Sequence, residues 1–599
     1  MTLYRQPQPA RRSLKIFAFD PMLGLRASNR IAIDVANEPL LPGPRGERVE
    51  IIDYDGALDC YYEPVNLDDP AILMQGGLDP SSSDPRFHQQ MVYAVATRVL
   101  ENFDRALGRR MKFRGKKPLL IVPHAFQEAN AYYDPSLGAL LFGYFQADDV
   151  DPGVNIPGQT VFTCLSQDII AHETTHAIVD QLRPRFREPT NPDVAAFHEG
   201  FSDIVAIFQH FTFPGVLRES IARQRGDLRS SSPLVELAAQ LGHAKGGKAA
   251  LRTAIAAPDP RMYEDTDECH DRGAILVAAV FDGFFRTYQA RIADLLRIAT
   301  GGTGRLPDGE LHPDLINRLA DCAAETAQQV LTMCIRAFDY LPPIDVTFDD
   351  YLRAMVTADF ELSGNETALM RGAMIEAFRA RGIYAKGVSS LAEEALRWEQ
   401  SGMADFPVAA LPAILAQQAR DTASRRASTD EPSALPKPAP KKKRAGGRAT
   451  AAAEFPPDVP AGLYPTLHRW GVDNATHLGL DPKQPIAVTG FHPAFRVGRD
   501  GGLHLELIAQ FVQTDPSPAS DLGGIRFRAG ATVIAGADGR VRYAVLKPMV
   551  SGRRDAYASF VAACDAQDAR LAWEPPKSAY RARRIAARMD AAALHTGRI

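Results

Sequence analysis

Two histidines four residues apart, in His172-Glu173-Thr174-Thr175-His176, are the residues of this sequence best suited to chemistry. On a helix, positions i and i+4 share a face, so both imidazoles can bind one ion while Glu173 reaches a water beside it. The flanking Ile169, Ile170, Ala177, Ile178 and Val179 make this a buried helix. A buried His-Glu-His set needs a partner to offset its desolvation. A catalytic zinc site takes three protein ligands and keeps one position open for water. Val179 and Leu182 occupy the places where a His-x-x-Gly-x-x-His continuation would need Gly and His, so the third ligand comes from elsewhere. The next source is His198-Glu199-Gly200-Phe201-Ser202-Asp203. There Glu199 offers a carboxylate and His198 is a rival imidazole. Asp203, one turn later, can accept the second ring N–H of a ligand histidine.

These side chains must be held by regular elements. Residues 14–65 read as short strands broken by Pro and Gly, such as Ile31–Val35 and Val49–Tyr54. An apolar stripe from Phe87 to Phe103, with Asp84-Pro85 at its head, predicts a helix from near Asp84 to Leu107. Strands follow at Pro118–Pro123 and Ala139–Phe145. From Gln167 the pattern turns helical, with one helix carrying His172 and another carrying Glu199. Longer helices are predicted over Gly273–Leu296, Pro313–Tyr340 and Phe348–Arg381. Residues from about Thr422 to Pro460 are rich in Ala, Pro, Ser, Lys and Arg without periodicity, which predicts a flexible linker. Beyond it, Leu503–Val512 and a pair of strands around Ala537-Asp538-Gly539 predict a strand-containing unit, and Tyr580–Ile599 a helix.

The chain has 599 residues, 45% hydrophobic and 23% charged, which suits a globular protein with sizeable cores. A formal net charge of −4 gives no bulk electrostatic case for nucleic acid or an anionic membrane. The six cysteines are scattered without a Cys-x-x-Cys pair, which argues against a disulfide scaffold and fits a reducing compartment. No apolar run suits a signal peptide or a membrane span, so the expected location is cytoplasmic. The basic run Pro440–Arg444 reads as solvated linker charge. His468, His477, His492 and His504 lack ligand-like spacing.

His-Glu-x-x-His, followed by Glu-x-x-x-Asp on a second helix, resembles the thermolysin-like (gluzincin) family of zinc metallopeptidases. Asn130-Ala131-Tyr132-Tyr133 resembles that family's edge strand for substrate backbone. Leu251-Arg252-Thr253 resembles the segment whose arginine supports the zinc glutamate and holds a substrate carbonyl. His270, ahead of Arg272-Gly273-Ala274-Ile275-Leu276, resembles the transition-state histidine; Asp265 matches its orienting carboxylate, with Asp267 in competition. These matches fall in the family's chain order over roughly residues 85–285. The resemblance implies one catalytic zinc on His172, His176 and Glu199, with Glu173 as general base and His270 at the oxyanion. It implies Asn130, Ala131 and Arg252 on the substrate, Asp203 behind a ligand histidine, Asp265 behind His270, and Ile169 with Leu251 around the residue after the scissile bond.

Three departures stand out. The family's tyrosine after the first zinc helix is replaced by Leu182-Arg183-Pro184-Arg185-Phe186-Arg187, leaving His270, alone or with an arginine, at the oxyanion. Asp168 matches one calcium-binding acid, but the rest of that cluster is missing and His210 stands at another of its positions, which counts against structural calcium. Asn130 lies about as far from Met1 as in a mature catalytic domain, so no propeptide is expected.

The expectation is therefore an α+β protein with a thermolysin-like two-lobed catalytic unit. It comprises a β-rich lobe (1–165), a helical lobe with the zinc site (166–390), a helical tail and linker (391–460) and a small C-terminal domain (461–599). Its expected activity is cleavage of peptide or protein substrates before apolar residues. The alternatives are a zinc-containing peptide holder that does not cut, or a targeted protease effector whose C-terminal domain engages a protein partner.

Overall fold

The computed structural model describes residues 9–21, 29–113, 117–150, 152, 155–228, 261–306, 308–403, 405–408, 459, 462–497, 502–517, 521–522 and 525–566. Leu251, Arg252, Thr253, the basic run at 440–444 and the tail at 580–599 lie outside them. The class is α+β, with mixed and antiparallel sheets among long helices.

In the N-terminal part, β1 (Arg11–Phe17) pairs antiparallel with β2 (Arg30–Ala36). Arg12, Leu14 and Ile16 are buried, alternating with exposed Arg11 and Ser13 and half-buried Lys15, as the two-residue side-chain period requires. Short strands β3 (Val49–Ile51), β4 (Tyr54–Asp55) and β5 (Cys60–Tyr61) and the small helix α1 (Pro70–Met74) lead to α2 (Pro85–Leu107). The Asp84 side chain accepts from Arg86 N at the head of α2, and Gly108 closes it at φ 65°. A Cβ at Gly108 would collide with the Phe495 carbonyl, a second reason for glycine there. The main sheet adds β6 (Leu119–Phe126), β7 (Ala131–Asp134), β8 (Ala139–Gln146) and β9 (Thr160–Phe162). Its order is β3-β6-β8-β7, parallel through β3, β6 and β8, with β7 antiparallel at the edge and β9 pairing the far end of β8.

The helical part contains α3 (Gln167–Leu182), α4 (Pro192–His210), α5 (Pro214–Gln224), α6 (Arg261–Asp265), α7 (Cys269–Ala299), α8 (Pro313–Arg336), α9 (Phe348–Ser363), α10 (Ala368–Arg379) and α11 (Glu393–Leu396). Two of the departures from the sequence reading have a clear local cause. The helix expected over Phe348–Arg381 breaks at Gly364, whose φ of 54° ends α9 before a 3-10 turn to Thr367. The helix expected from Gly273 starts earlier, at Cys269, because the Glu268 side chain accepts from Asp271 N as its cap. His270 therefore sits in a helix's first turn.

Beyond α12 (Tyr464–Asp473), strands β10 (Ala487–Val497), β11 (Leu503–Thr514), β14 (Arg528–Gly536) and β15 (Val541–Lys547) form an antiparallel sheet in that order. The two-residue strands β12 (Asp521–Leu522) and β13 (Ile525–Arg526) pair with each other, and α13 (Ser551–Ala566) follows. Alternation divides the larger sheet's faces. Leu507, Ala509, Phe511 and Val533 pack with Leu467 and Trp470 of α12, while Ile508, Ile534, Tyr543 and Val545 join the core shared by the main sheet and the helices. Buried ions cross the same junction. Arg336 of α8 meets Glu506 of β11 at 2.6 Å, and Arg109 holds Asp339 at 2.7 Å with His492 of β10 at 3.3 Å on the other side. Within the stretch expected to begin a helical tail and linker (391–460), residues 400–403 run along β15; Gln400 bridges Tyr543, Ser401 N donates to Arg542 O and Val541 N donates to Met403 O. Among the described residues no helix is long and apolar enough to cross a membrane.

Candidate metal centre

Helix α3 is buried on nearly every side because its apolar residues surround the polar set rather than oppose it. Its neighbour α4 begins at a good cap, with Asn191 accepting from Asp193 N and Pro192 in the first turn. The i, i+4 spacing on α3 brings Nε2 of His172 and Nε2 of His176 to 2.8 Å from each other, and α4 delivers Glu199 to them. Glu199 closes the triangle, with Oε2 3.4 Å from His172 Nε2 and Oε1 3.6 Å from His176 Nε2. This geometry distinguishes Glu199 from its rival His198, whose ring instead stacks behind His176.

The outer ring nitrogens are also taken. Nδ1 of His172 lies 2.8 Å from Asp203 Oδ1, and Nδ1 of His176 lies 2.7 Å from His198 Nδ1 with Ser202 Oγ at 3.3 Å. With each Nδ1 proton engaged outward, both Nε2 lone pairs point at one spot. Two imidazole nitrogens and a carboxylate fit a borderline divalent ion. The site thus has three candidate ligands in His172, His176 and Glu199.

Electrostatics suit the roles. Burial disfavours the charged form of Glu199, yet His176 and His172 outweigh it and hold the carboxyl well below its ordinary range. Burial raises the Glu173 carboxyl, opposed by the two imidazoles, so this acid holds a proton more readily than an exposed glutamate. Burial, followed by the charge of His176, keeps His198 neutral.

Glu173 Oε2 accepts from the backbone N–H of Tyr133 at 2.9 Å. Since that N–H points away from β8, the N–H and C=O of Ala131, two residues earlier, face the same open side of β7. Asn130 and Ala131 are half-buried at the head of this edge. Tyr133 is fixed in turn: its hydroxyl donates to Asp180 Oδ2 at 2.9 Å, and Asp180 Oδ1 meets Arg187 Nε at 2.6 Å. Arg187, from the segment that lacks a tyrosine, is therefore committed to Asp180.

His270 Nε2 lies 3.7 Å from Glu199 Oε2, with its side chain 70% exposed, so it borders the metal site on an open side. The carboxylate on its Nδ1 is Glu268, at 2.9 Å; Asp265 and its competitor Asp267, expected for that duty, are exposed and are not the ring's partners. The cap of α7 thus doubles as the histidine's orienting group, a coincidence hidden until the helix start is known. A close helix contact sets the distance between His270 and Glu199. A Cβ on Gly200 of α4 would lie 2.7 Å from Gly273 O of α7, so only glycine permits this crossing, one residue after Glu199 and three after His270. Ile169 is buried in the first turn of α3, and Asp168 is engaged by His210 Nε2 at 2.5 Å.

Sequence reasoning did not assign the outer contacts of His198 and Ser202 to His176, or of Tyr133 to Glu173. The first had a signal, since His198 adjoins Glu199; a backbone N–H carries none. No known protein-family model and no curated protein matches the chain.

Proposed function

We propose that the protein is a zinc-dependent endopeptidase with a thermolysin-like catalytic unit. The observation that carries this reading is the convergence of His172, His176 and Glu199 on one point, with the buried carboxyl of Glu173 alongside. When bound there, zinc supplies Lewis acidity, lowering the pKa of a neighbouring water and polarising a carbonyl. Glu173 takes the water's proton as it attacks the peptide carbonyl, and returns that proton to the leaving amine. His270, exposed beside the metal site, donates to the carbonyl oxygen as negative charge develops on it. Ala131 holds substrate backbone by strand addition, with Asn130 beside it. Arg252 and Leu251 receive their parts, a substrate carbonyl and an apolar pocket with Ile169, from the resemblance alone.

The test is Glu173→Gln. The variant should retain its metal and lose peptide cleavage by about 10²–10⁴-fold, the usual contribution of a general base. Wild-type cleavage should stop on chelation and return with added zinc. Equal rates for Glu173→Gln and wild type, or full activity in metal-free protein, would defeat the proposal.

A further inference from the structure

A second histidine cluster lies away from the proposed catalytic centre, between α2, β6 and the 3-10 turn Thr163–Leu165 that leads into α3. His88, His124 and Cys164 are each buried, at 1%, 1% and 0% exposure, and can offer three donor atoms that all lie within 4.8 Å of one another. Its core repeats the arrangement of the first site. Nδ1 of His88 faces Nε2 of His124 at 2.8 Å, as the two Nε2 atoms do at His172 and His176. The far nitrogen of His124 is held by a carboxylate, Asp53 Oδ1 at 2.6 Å, as His172 is held by Asp203. Gln89 Nε2 fixes the other oxygen of Asp53 at 2.8 Å. A carboxylate on the outer nitrogen orients the ring and makes its inner nitrogen the better donor, the usual support of a metal-ligating histidine.

We propose that His88, His124 and Cys164 form a second, structural metal site that binds one thiophilic d¹⁰ cation, zinc or copper(I). Two imidazoles and a thiolate match the soft-to-borderline donor preference of these ions. On binding, the Cys164 thiol releases its proton to solvent and the sulfur lone pair forms the metal bond. With zinc the charges then close, the cation offsetting the thiolate and the buried Asp53 carboxylate, which no arginine or lysine contacts among the described residues; copper(I) leaves one negative charge over. Phe162, Tyr62 and Tyr144 ring His124 and give the site an aromatic jacket. The position assigns the ion its work. It ties α2 and β6 to the turn that enters α3, and so fixes the helix that carries His172 and His176.

The competing arrangement is a plain N–H···N hydrogen bond between the two imidazoles beside a free thiol. Elemental analysis of the purified full chain decides between them, on wild type, Cys164→Ser and Glu199→Gln. Two equivalents of zinc, or one of zinc and one of copper, are expected in wild type, with one lost in each variant and a lower melting temperature in Cys164→Ser. Cobalt(II) reconstitution of wild type gives a readout independent of the variants' folding and of peptidase activity. Wild type and Glu199→Gln should both show a thiolate-to-cobalt charge-transfer band, because the first site contains no sulfur. A single equivalent of metal in wild type with no such band would overturn the second site; loss of cleavage alone would bear only on the first.

Discussion

Replacing Glu506 by alanine should destabilise the whole molecule, because this one carboxylate neutralises ions from both sides of the junction between the C-terminal sheet and the helices. Its Oε2 lies 2.6 Å from Arg336 Nη2, and its Oε1 lies 3.1 Å from Arg496 Nη2 and 3.2 Å from the Tyr340 hydroxyl. Arg496 keeps Glu361 at 3.2 Å when Glu506 is gone. Arg336 keeps a 3.4 Å contact to the Leu107 carbonyl and the weaker company of Tyr340 and Asp339, and its side chain is 2% exposed. Removing one partner of a buried pair leaves an uncompensated charge and costs about 3–5 kcal/mol. A surface pair such as Arg223–Glu219, half exposed on both sides, is worth about 0–1 kcal/mol. Urea unfolding should therefore show the Glu506→Ala midpoint falling far more than that of Glu219→Ala. The sheet shares its core with the helices, so circular dichroism and metal release should fall together. A loss below about 1 kcal/mol would refute the reasoning. So would early melting of the sheet alone while the metal centre stayed intact, which would mark 461–599 as a detachable unit.

Three further outcomes follow from the same contacts. Asp203→Ala should weaken metal binding about 10–100-fold, read by competition with a chromophoric chelator, since it frees Nδ1 of His172; unchanged affinity would remove Asp203 from the site. Gly200→Ala would place a Cβ 2.7 Å from Gly273 O and force α4 from α7, costing about 1–3 kcal/mol and lowering metal affinity; an unaltered melting curve would show that the crossing is loose. His492 is pushed down from 6.5 to about 4 by burial and by Arg109, with Asp339 opposing. The unfolded chain therefore binds the extra proton first, and stability present above pH 6.5 is lost as pH falls toward 4. The full shift is worth at most about 3 kcal/mol, reduced because the side chain keeps 22% exposure; stability of His492→Gln should vary less across that window, and equal slopes would exclude His492 as the source.

Much of this was legible in the sequence, for a physical reason. The i, i+4 histidines and Glu199-x-x-x-Asp203 are helical spacings, and a helix turns such spacings into faces without help from the rest of the chain. The strands and caps of α2, β6 and β8 were legible for the same local reason. What was hidden depends on contacts between elements. His88 and His124 stand 36 residues apart and Cys164 on a third segment, so nothing along the chain relates them. Gly200 and Gly273 are unremarkable singly, and only their crossing gives them meaning. Glu268 displaced Asp265 because the start of α7 lies four residues before the small-residue run that signalled it. The C-terminal sheet read as a separate small domain because its alternation was visible while its second buried face was not. The Ile508–Ile534 face looks the same in sequence whether it meets water-excluding helices or a partner.

The edge strand β7 links the acid to the cleft more tightly than either does alone. Its inner edge is fully used by β8, and on its open side the Tyr133 N–H already serves Glu173. A peptide lying along this edge therefore finds the Ala131 N–H and C=O first, one strand period from the group that positions the base. Any displacement of the strand moves both. Asp180 and Arg187 hold the Tyr133 hydroxyl from the far side, so the strand cannot slide without breaking a buried hydrogen bond and an ion pair. In this arrangement the alignment of substrate backbone and the alignment of Glu173 are one mechanical quantity, set by the seat of Tyr133 between α3 and β8.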